Sequence, residues 1–431
     1  MTNQHQATTP ATVNLDIGLI EAAQSGKVDE VKALLAQGAS PNALSSVLPV
    51  SIVAATAGHW GIARMLVEHG AELQGAMRDA DTLLHWAARA GELDFCKFLL
   101  QRGSSVNARN TSGCTPLFLA CASISPGSTF VAELLLAAGA TANTPDKDKF
   151  TPLIQAAHDG RADLCELLIR AGAKIEQKEK DGYTALGWAA RRGHGVACDA
   201  LVQAGAALDP VSRHGSTPMI RAAQGGHAGV IELLHRAGAS IFWMDVNGQS
   251  ALHWAASKGF EDAARVLIGL GAPTCNPDDR GRTPLSLAAA CGSAPICRLL
   301  LDRGANPNAL DRDMNTPLHE AARARGAATQ GDHALVCRLL IKCGAGTERR
   351  NCLGYTALHV AAVEGIEQTA TALIQGGADP HAKAGNLTAA GLAGRHKRKA
   401  LAAQIKSLTQ SIEAARAVEA VMNAHCRPAP G

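Results

Sequence analysis

Residues 151–173, TPLIQAAHDGRADLCELLIRAGA, contain two short helical patterns in succession. Thr151 can cap a helix start with its side-chain oxygen, and the following proline suits a first turn, where its missing N–H is not needed. Gly160, nine residues after the threonine, predicts the end of this helix. A second helix with an apolar triplet follows, and Gly172-Ala173 ends it. The stretch therefore predicts a helix–turn–helix unit.

Copies of this unit follow one another along nearly the whole chain. The threonine, or a serine in its place, recurs every 33 residues, with two wider steps of 36 and 40. These positions, here called anchors, are Thr82, Thr115, Thr151, Thr184, Thr217, Ser250, Thr283, Thr316 and Thr356. Weaker copies start at Ile17 and Pro49, and a frayed last copy starts at Thr388. Because one copy cannot bury its own apolar faces, neighbouring copies must stack.

This pattern resembles the ankyrin repeat, with its period of 33 residues, its TPLH and AA segments in the first helix, and its LL and GA segments in the second. The resemblance covers about residues 14–394. It implies an all-α, elongated and curved solenoid of about twelve repeats, each a helix–turn–helix with a β-hairpin turn. It also implies that hairpin tips and first helices form a concave groove that binds protein partners.

The domain organisation follows from the limits of the repeats. We expect a disordered leader over residues 1–13, repeats over 14–394 with degenerate first and last copies, a capping helix over 395–425 and a tail over 426–431. Insertions lie near 122–129 and 325–334. Leu401, Ile405 and Leu408 give the C-terminal helix an apolar face, which either covers the last repeat or forms a short coiled-coil seam for self-association.

Composition restricts the function classes. The chain has 431 residues, of which 3% are aromatic. Its net charge of only +3 gives no indication of nucleic-acid binding. No signal peptide and no apolar run of about 18 residues is visible, so we expect no membrane span. Twelve cysteines without a secretion signal are typical of thiols in a reducing compartment, and we expect a cytoplasmic protein. Secretion into a host cell and nuclear entry, the latter through the basic run at 395–399, stay open.

Histidine and tryptophan recur at fixed distances from the anchors. His85, His253, His319 and His359 stand three residues after an anchor, and Trp86, Trp188 and Trp254 stand four after one. A catalytic residue occurs once in a fold, so this recurrence favours a framework role. We expect each histidine to bind a neighbouring backbone group and each tryptophan to pack in the first helix. The alternative is that a tryptophan edge reaches the groove and contacts a partner.

Cysteine also recurs at a framework position, fourteen residues after an anchor. Other copies hold Val, Ile or Ala there, so we expect a buried, unpaired thiol at each site and neither a disulfide nor a zinc site. These residues are Cys96, Cys165, Cys198, Cys297 and, once seven inserted residues are discounted, Cys337. HEAAR at 319–323 lacks the second histidine of a metalloprotease helix, and no nucleophile elbow or phosphate loop is present. We expect no catalysis and no cofactor.

The variable positions are the candidates for partner binding. In ankyrin repeats, positions seven and eight after the anchor, and those just before it, face the groove. The candidates are Arg89, His158, Tyr183, Trp188, Arg191, Arg192, Arg221, Trp254, Lys258, Arg282 and Arg323. The cations in the middle could steer an acidic peptide or an acidic protein face, or could simply be a solvated surface.

We interpret the chain as a monomeric, non-catalytic scaffold or adaptor for a protein partner, with nucleic acid not expected. Two rivals use the same groove. One is a secreted effector of a host-associated microbe that acts on a host protein. The other is a regulator or inhibitor of a partner enzyme or toxin.

Overall fold

The structure is a computed structural model that describes residues 10–46, 48–73, 81–323 and 332–425. Short paired helices dominate, and the few strands are two residues long, so the all-α repeat architecture is confirmed. The chain divides into two compact units, residues 1–207 (unit 1) and 208–431 (unit 2). Among the described helices, none combines the length and apolarity needed to span a bilayer.

The described part of unit 1 holds six helix pairs and one two-stranded hairpin. The helices are α1 Pro10–Gln24, α2 Val28–Ala36, α3 Val50–Thr56, α4 Trp60–Glu68, α5 Leu83–Ala90, α6 Leu93–Gln101, α7 Pro116–Cys121, α8 Ser128–Ala137, α9 Pro152–His158, α10 Ala162–Arg170, α11 Ala185–Arg192 and α12 Gly195–Gln203. Strands β1 (Leu44–Ser45) and β2 (Leu48–Pro49) pair antiparallel, with Leu44 opposite Pro49.

Unit 2 repeats the arrangement. Its helices are α13 Pro218–Gly225, α14 Ala228–Arg236, α15 Ala251–Lys258, α16 Glu261–Gly269, α17 Pro284–Cys291, α18 Ala294–Asp302, α19 Pro317–Arg323, α20 His333–Lys342, α21 Ala357–Glu364, α22 Glu367–Gln375, α23 Ala389–Arg395 and α24 Lys399–His425. Strands β3 (Lys383–Ala384) and β4 (Leu387–Thr388) pair antiparallel, with Lys383 opposite Thr388.

The anchors start the first helices as the sequence predicts. The Thr151 hydroxyl accepts a hydrogen bond from the Ile154 N–H at 3.2 Å, and the Thr217 hydroxyl accepts one from the Ile220 N–H at 3.4 Å. Gly193 ends α11 at φ 81°, in the left-handed region that glycine enters without steric cost. Its N–H bonds the carbonyls of Ala189 and Ala190, which the helix end would otherwise leave unsatisfied.

Within each unit, first helices pack on first helices and second helices on second helices of the next repeat. The position fourteen residues after the anchor is completely buried where it holds cysteine, as in Cys96, Cys165, Cys198, Cys297 and Cys337. Val31, Ala63 and Ile231 are equally buried at the same position in other copies. The interpretation of this cysteine as a small core residue is therefore confirmed.

Seven of the described hairpins are organised by a side chain five residues before the anchor. One carboxylate oxygen of Asp278 accepts hydrogen bonds from the N–H groups of Arg280 and Arg282, at 2.9 and 2.8 Å. Asp245 and Asp311 make the same pair of bonds in their own hairpins. Such local bonds replace backbone partners that a tight turn cannot offer. Asn110, Asp146, Glu179 and Asn351 act in the same way.

Backbone hydrogen bonds then join neighbouring hairpins into a ladder. In unit 1, the Lys180 N–H donates to the Asp148 carbonyl at 3.0 Å. In unit 2, the Asp279 N–H donates to the Asn247 carbonyl at 3.0 Å, and the Arg312 N–H to the Arg280 carbonyl at 2.9 Å. The tips of successive repeats are therefore held in direct contact.

A side-chain bridge joins successive repeats at the base of the hairpins. Asn143, four residues after Gly139, donates to the Gly172 carbonyl at 3.1 Å and accepts from the Lys174 N–H at 2.7 Å. The equivalent residues that accept from the next repeat are Asn42, Asn107, Glu176, Asp209, Asn308 and Glu348. We call this the bridging position.

His85, His319 and His359 bind the backbone on both sides of the ring, and His253 binds it on the Nδ1 side. The Thr82 N–H donates to His85 Nδ1 at 3.1 Å, so the ring proton lies on Nε2, which donates to the Cys114 carbonyl at 3.1 Å. His319 joins Thr316 to the Tyr355 carbonyl, and His359 joins Thr356 to the Ala382 carbonyl. His253 accepts from the Ser250 N–H at 3.2 Å in the same way. The framework role expected for these histidines is observed.

Burial is the main reason that the pKa values of His85, His253, His319 and His359 lie below the usual 6.5, because a charged imidazole would lose its hydration. The hydrogen bond at Nδ1 also favours a lower pKa, because this nitrogen accepts the anchor N–H and can do so only while it carries no proton. These rings are therefore neutral parts of the framework.

The ends of the repeat array carry further contacts. Helix α24 buries Leu401 and Ile405 and packs on α22 and α23. The Gln404 side chain donates to the Thr371 hydroxyl at 3.2 Å. At the other end, α1 begins at Pro10, inside the segment expected to be a leader. The predicted tail at 426–431 lies outside the described residues.

The thiols should separate into two classes in solution. Burial is the main factor that raises the pKa of Cys165 and of Cys198 to about 12, so little thiolate forms. Burial also keeps a thiol reagent away from both sulfur atoms. Cys275, Cys343 and Cys352 are exposed. A thiol reagent followed by peptide mass spectrometry should label the exposed group in native protein, and Cys165 and Cys198 only in denaturant. Rapid native labelling of Cys165 and Cys198 would contradict the packing described here.

Stability should fall in mild acid because of the framework histidines. Well above pH 6.5 the histidines are neutral in both the folded and the unfolded state. Below that pH the unfolded chain binds protons more readily than the folded chain, in which the pKa is lower. Each imidazole contributes about 1.4 kcal/mol for every unit by which folding lowers its pKa. Thermal unfolding should therefore occur at a lower temperature at about pH 5.5 than at about pH 7.5. The His85→Gln/His319→Gln variant should show a shallower pH dependence; a slope equal to that of the parent would exclude these rings as its source.

Candidate functional site

In unit 1, four of the sequence-predicted residues meet in one aromatic and cationic cluster. The Trp188 ring lies 5.2 Å from the His158 ring and 6.0 Å from the Tyr183 ring, measured between centroids. Phe150, the residue before the Thr151 anchor, lies 5.4 Å from Trp188. Tyr183 is nearly buried and adds little surface, whereas Trp188 and His158 are half-buried. The exposed part of the cluster is thus a tryptophan edge beside an imidazole.

Arg192 completes this cluster. Its guanidinium donates to His158 Nε2 at 2.8 Å, so the His158 proton lies on Nδ1, which donates to Asp159 at 2.7 Å. Asp159 also accepts from the Gln155 side chain. Arg192 is exposed, and Arg191 beside it is half-buried. A chain of hydrogen bonds therefore fixes the orientation of an exposed cation next to aromatic rings, an arrangement common at protein-binding surfaces.

Arg89 and Trp86 form a second cationic and aromatic pair in unit 1. The Arg89 guanidinium lies 5.1 Å above the Trp86 ring and 3.2 Å from an Asp81 carboxylate oxygen. The insertion at 122–129 is fastened to the same repeat, because the Ser123 hydroxyl donates to the Arg89 carbonyl at 2.7 Å. Arg161 of the following repeat bonds the Ser123 carbonyl at 3.0 Å. This insertion is therefore held on both sides. The other insertion lies mostly outside the described residues.

In unit 2, the predicted residues are engaged with acidic partners. Trp254 donates from its indole nitrogen to Asp245 at 2.9 Å. Arg282 donates to Asp278 from two nitrogens, at 3.0 and 2.7 Å. Burial alone would raise the pKa of Asp278, but hydrogen bonds from the Arg282 guanidinium and backbone outweigh it and hold that pKa below its usual value. Arg282 is therefore a pre-oriented cation in a permanent ion pair.

The remaining predicted residues of unit 2 lie at different degrees of exposure. Arg323 donates to Glu320 at 3.1 Å and is half-buried. Lys258 is exposed at the end of α15. Arg221 is half-buried and donates to the Gln224 side chain at 3.3 Å.

Sequence reasoning missed two exposed arginines of unit 2, Arg280 and Arg312, at the hairpin tips. Together with Arg282 and Arg323 they line a cleft whose other charged residues are Asp311, Asp313 and Glu320. Arg280 stands three residues before its anchor and Arg312 four residues before its own, and the residue types at both positions vary between copies, so neither gave a separate signal. Within the described ranges, no group of three or more His, Cys, Asp and Glu side chains is arranged to hold a metal ion.

Comparison with known proteins identifies the repeats. The profile described as Ankyrin repeats (3 copies) matches in overlapping segments from residue 19 to residue 384. Ankyrin repeat and KH domain-containing protein mask-1 of Caenorhabditis elegans is 31% identical over 155 residues, which are 35% of this chain and 6% of that protein. The human ASB11 ankyrin repeat domain is 28% identical, with a TM-score of 0.49, and its whole chain covers 54% of this one.

Two further relatives are human proteins. Cyclin-dependent kinase inhibitor 2A is 40% identical over 105 residues, which are 24% of this chain and 66% of that protein. SH3 and multiple ankyrin repeat domains protein 1 is 32% identical over 146 residues, which are 33% of this chain and 7% of that protein. Each likeness covers only part of the relative's own length. Since the profile matches most of the chain, the chain belongs to the ankyrin repeat family.

Proposed function

We propose that this protein is a non-catalytic scaffold or adaptor that binds a protein partner on the first helices and hairpins of its repeats. One observation carries the proposal: framework groups are buried and bonded to each other, whereas the variable cations and tryptophan edges reach the surface. Such a surface is rigid before binding, so little conformational entropy is lost on association. The family, whose repeats are generally protein-interaction modules, supports the same reading.

The variable cations support an acidic partner. Arg192 and Lys258 are exposed, and Arg191, Arg221 and Arg282 are half-buried. Positive potential over a binding surface raises the rate of encounter with an acidic protein or peptide. Each exposed ion pair contributes only about 0.2–1 kcal/mol, so affinity must come from several together.

The cluster around Trp188 supplies apolar contact beside those charges. Tryptophan and arginine are enriched among the residues that dominate binding energy, particularly where neighbouring contacts exclude water. Trp188 is backed by Phe150, and Arg192 is oriented by His158. We therefore propose that this cluster is the main contact of unit 1 and that the partner places a carboxylate near Arg192.

A regulator or inhibitor of a partner enzyme is the second candidate. The observation in its favour is the 40% identity over 105 residues with a protein named as an inhibitor of cyclin-dependent kinase. The role of a secreted effector would use the same surfaces. In each case we propose a cytoplasmic monomer that needs no cofactor, with α24 as a cap on the last repeat.

Charge reversal tests the proposed surface. The variant Arg191→Glu/Arg192→Glu/Arg221→Glu should keep its helicity and melting temperature, because these side chains lie outside the core. Its capture of protein partners from extract should fall several-fold at about 50 mM salt, with a smaller difference at about 300 mM, where screening weakens the parent too. Quantitative mass spectrometry of the captured proteins measures both effects.

The matched control reverses three arginines on second helices, Arg170→Glu/Arg236→Glu/Arg298→Glu. It carries the same change in net charge and should retain the partners of the parent protein. If both triple variants capture the same partners at the same yield and salt dependence, the cations are a solvated surface and the proposal fails.

A further inference from the structure

One hairpin of unit 2 exposes an unusual run of apolar side chains. Phe242 is 66% exposed, Trp243 43%, Met244 36% and Val246 60%. We call residues 242–246 the apolar hairpin. In a chain with only 3% aromatics, adjacent exposed Phe and Trp side chains are a marked concentration. Exposed patches of this type mark interaction sites, and Trp, Phe and Met are enriched in interface cores.

The apolar hairpin is compatible with the framework because of a matched change in the next repeat. Phe242 stands at the bridging position, four residues after Gly238, where seven other repeats hold Asn, Asp or Glu. That side chain accepts from the N–H two residues after the next repeat's equivalent glycine, as Asp209 does from Ser240. Here this donor position holds Pro273, which has no N–H. No donor is left unpaired, so Phe242 is free of a framework role.

A cationic cleft follows the apolar hairpin in the next two repeats. Of its arginines, Arg282 is paired with Asp278, and Arg323 with Glu320. The Asp311 carboxylate is occupied by the N–H groups of its own hairpin. Arg280 and Arg312 are exposed, and neither makes an ion pair with a residue that the structure describes. Two arginines with unsatisfied donors suit a carboxylate, which can accept two parallel hydrogen bonds.

The hairpin ladder makes these features neighbours. The carbonyl of Asn247, the residue directly after the apolar hairpin, accepts a hydrogen bond from the Asp279 N–H, and the Arg280 carbonyl accepts one from the Arg312 N–H. The approach is close: a Cβ added to Gly248 would lie 2.8 Å from the Asp279 nitrogen. Val246, Arg280 and Arg312 therefore lie near the tips of three consecutive, hydrogen-bonded hairpins, whereas Phe242 and Trp243 lie toward the base of the first.

We propose that these three hairpins bind a short extended segment of a protein partner, with a large apolar side chain on Phe242, Trp243 and Val246 and Asp or Glu carboxylates on Arg280 and Arg312. Repeats stack about 10 Å apart, and an extended chain advances about 3.3 Å per residue. The carboxylates that meet Arg280 and Arg312, on neighbouring repeats, are therefore about three residues apart in the bound segment. The proposal rests on the proposed protein-binding function and specifies the chemistry of the partner for unit 2.

Selection from a random dodecapeptide library, displayed on phage against the full chain, tests it. Enriched peptides should share two Asp or Glu residues about three positions apart and, to one side of them, an aromatic residue or leucine. A synthetic, fluorescently labelled peptide with one of the enriched sequences should bind at least about tenfold more weakly to Phe242→Ser/Trp243→Ser and to Arg280→Ser/Arg312→Ser than to the parent protein, as measured by fluorescence polarisation. The controls Phe130→Ser and Arg236→Ser/Arg298→Ser change exposed residues elsewhere and should bind as the parent does.

Several outcomes overturn the proposal. Enriched peptides without carboxylates, no enrichment at all, or affinities that both test variants leave unchanged would each exclude this site. Displacement of the labelled peptide by a single-stranded oligonucleotide would point to phosphate recognition instead. Enriched peptides that bind normally to the unit 2 variants but not to Arg191→Glu/Arg192→Glu would overturn this inference while leaving the proposed function standing. Melting curves of all variants establish that they are folded.

Discussion

The repeat surface depends on the two backbone hydrogen bonds that a carboxylate or amide, five residues before most of the anchors, accepts from its own hairpin. By accepting two backbone N–H groups, Asp278 and its equivalents fix the path of a hairpin that has almost no strand structure of its own. A fixed hairpin can offer one N–H to the preceding repeat and one carbonyl to the following one. The ladder of tips, such as Asp279 to Asn247 and Arg312 to Arg280, then follows.

This arrangement separates stability from recognition. Core positions, capping threonines and the framework histidines are buried within the repeats and are not accessible to a partner. The side chains that remain differ between the units. Unit 1 presents an aromatic and cationic cluster at Trp188 and Arg192, whereas unit 2 presents arginines in ion pairs together with exposed Phe242 and Trp243. The same framework can therefore carry two chemically different surfaces.

Much of the fold was predictable from sequence because the same pattern recurs in many copies, so a helix start or end that is ambiguous in one copy can be assigned from the others. The anchors, the terminating glycines, the buried cysteine position and the histidines were all identified from recurring spacing alone. The hairpin caps were missed because Asp, Asn, Glu and Ser all serve there, so no single residue type repeats. The conformations of Lys149 and Met314 were missed as well, since they adopt φ 65° and φ 59° at a place where most copies have glycine.

The candidate site was predictable in part. Spacing selected His158, Trp188 and Arg192, but their mutual contacts and the tautomer of His158 depend on three-dimensional distances. Tyr183 was selected as a groove residue and is nearly buried, because its ring packs edge-on against Trp188. Arg280 and Arg312 could not be selected, since only the ladder brings successive tips together.

Native-state hydrogen exchange at the tip amides tests the central claim, that the hairpins form a rigid, hydrogen-bonded surface before any partner binds. The N–H groups of Lys180, Asp279 and Arg312 should be protected to within about tenfold of the helix-one amides of the same repeats. Exchange of these amides at the rate of an unstructured peptide, while the helices stay protected, would contradict the account.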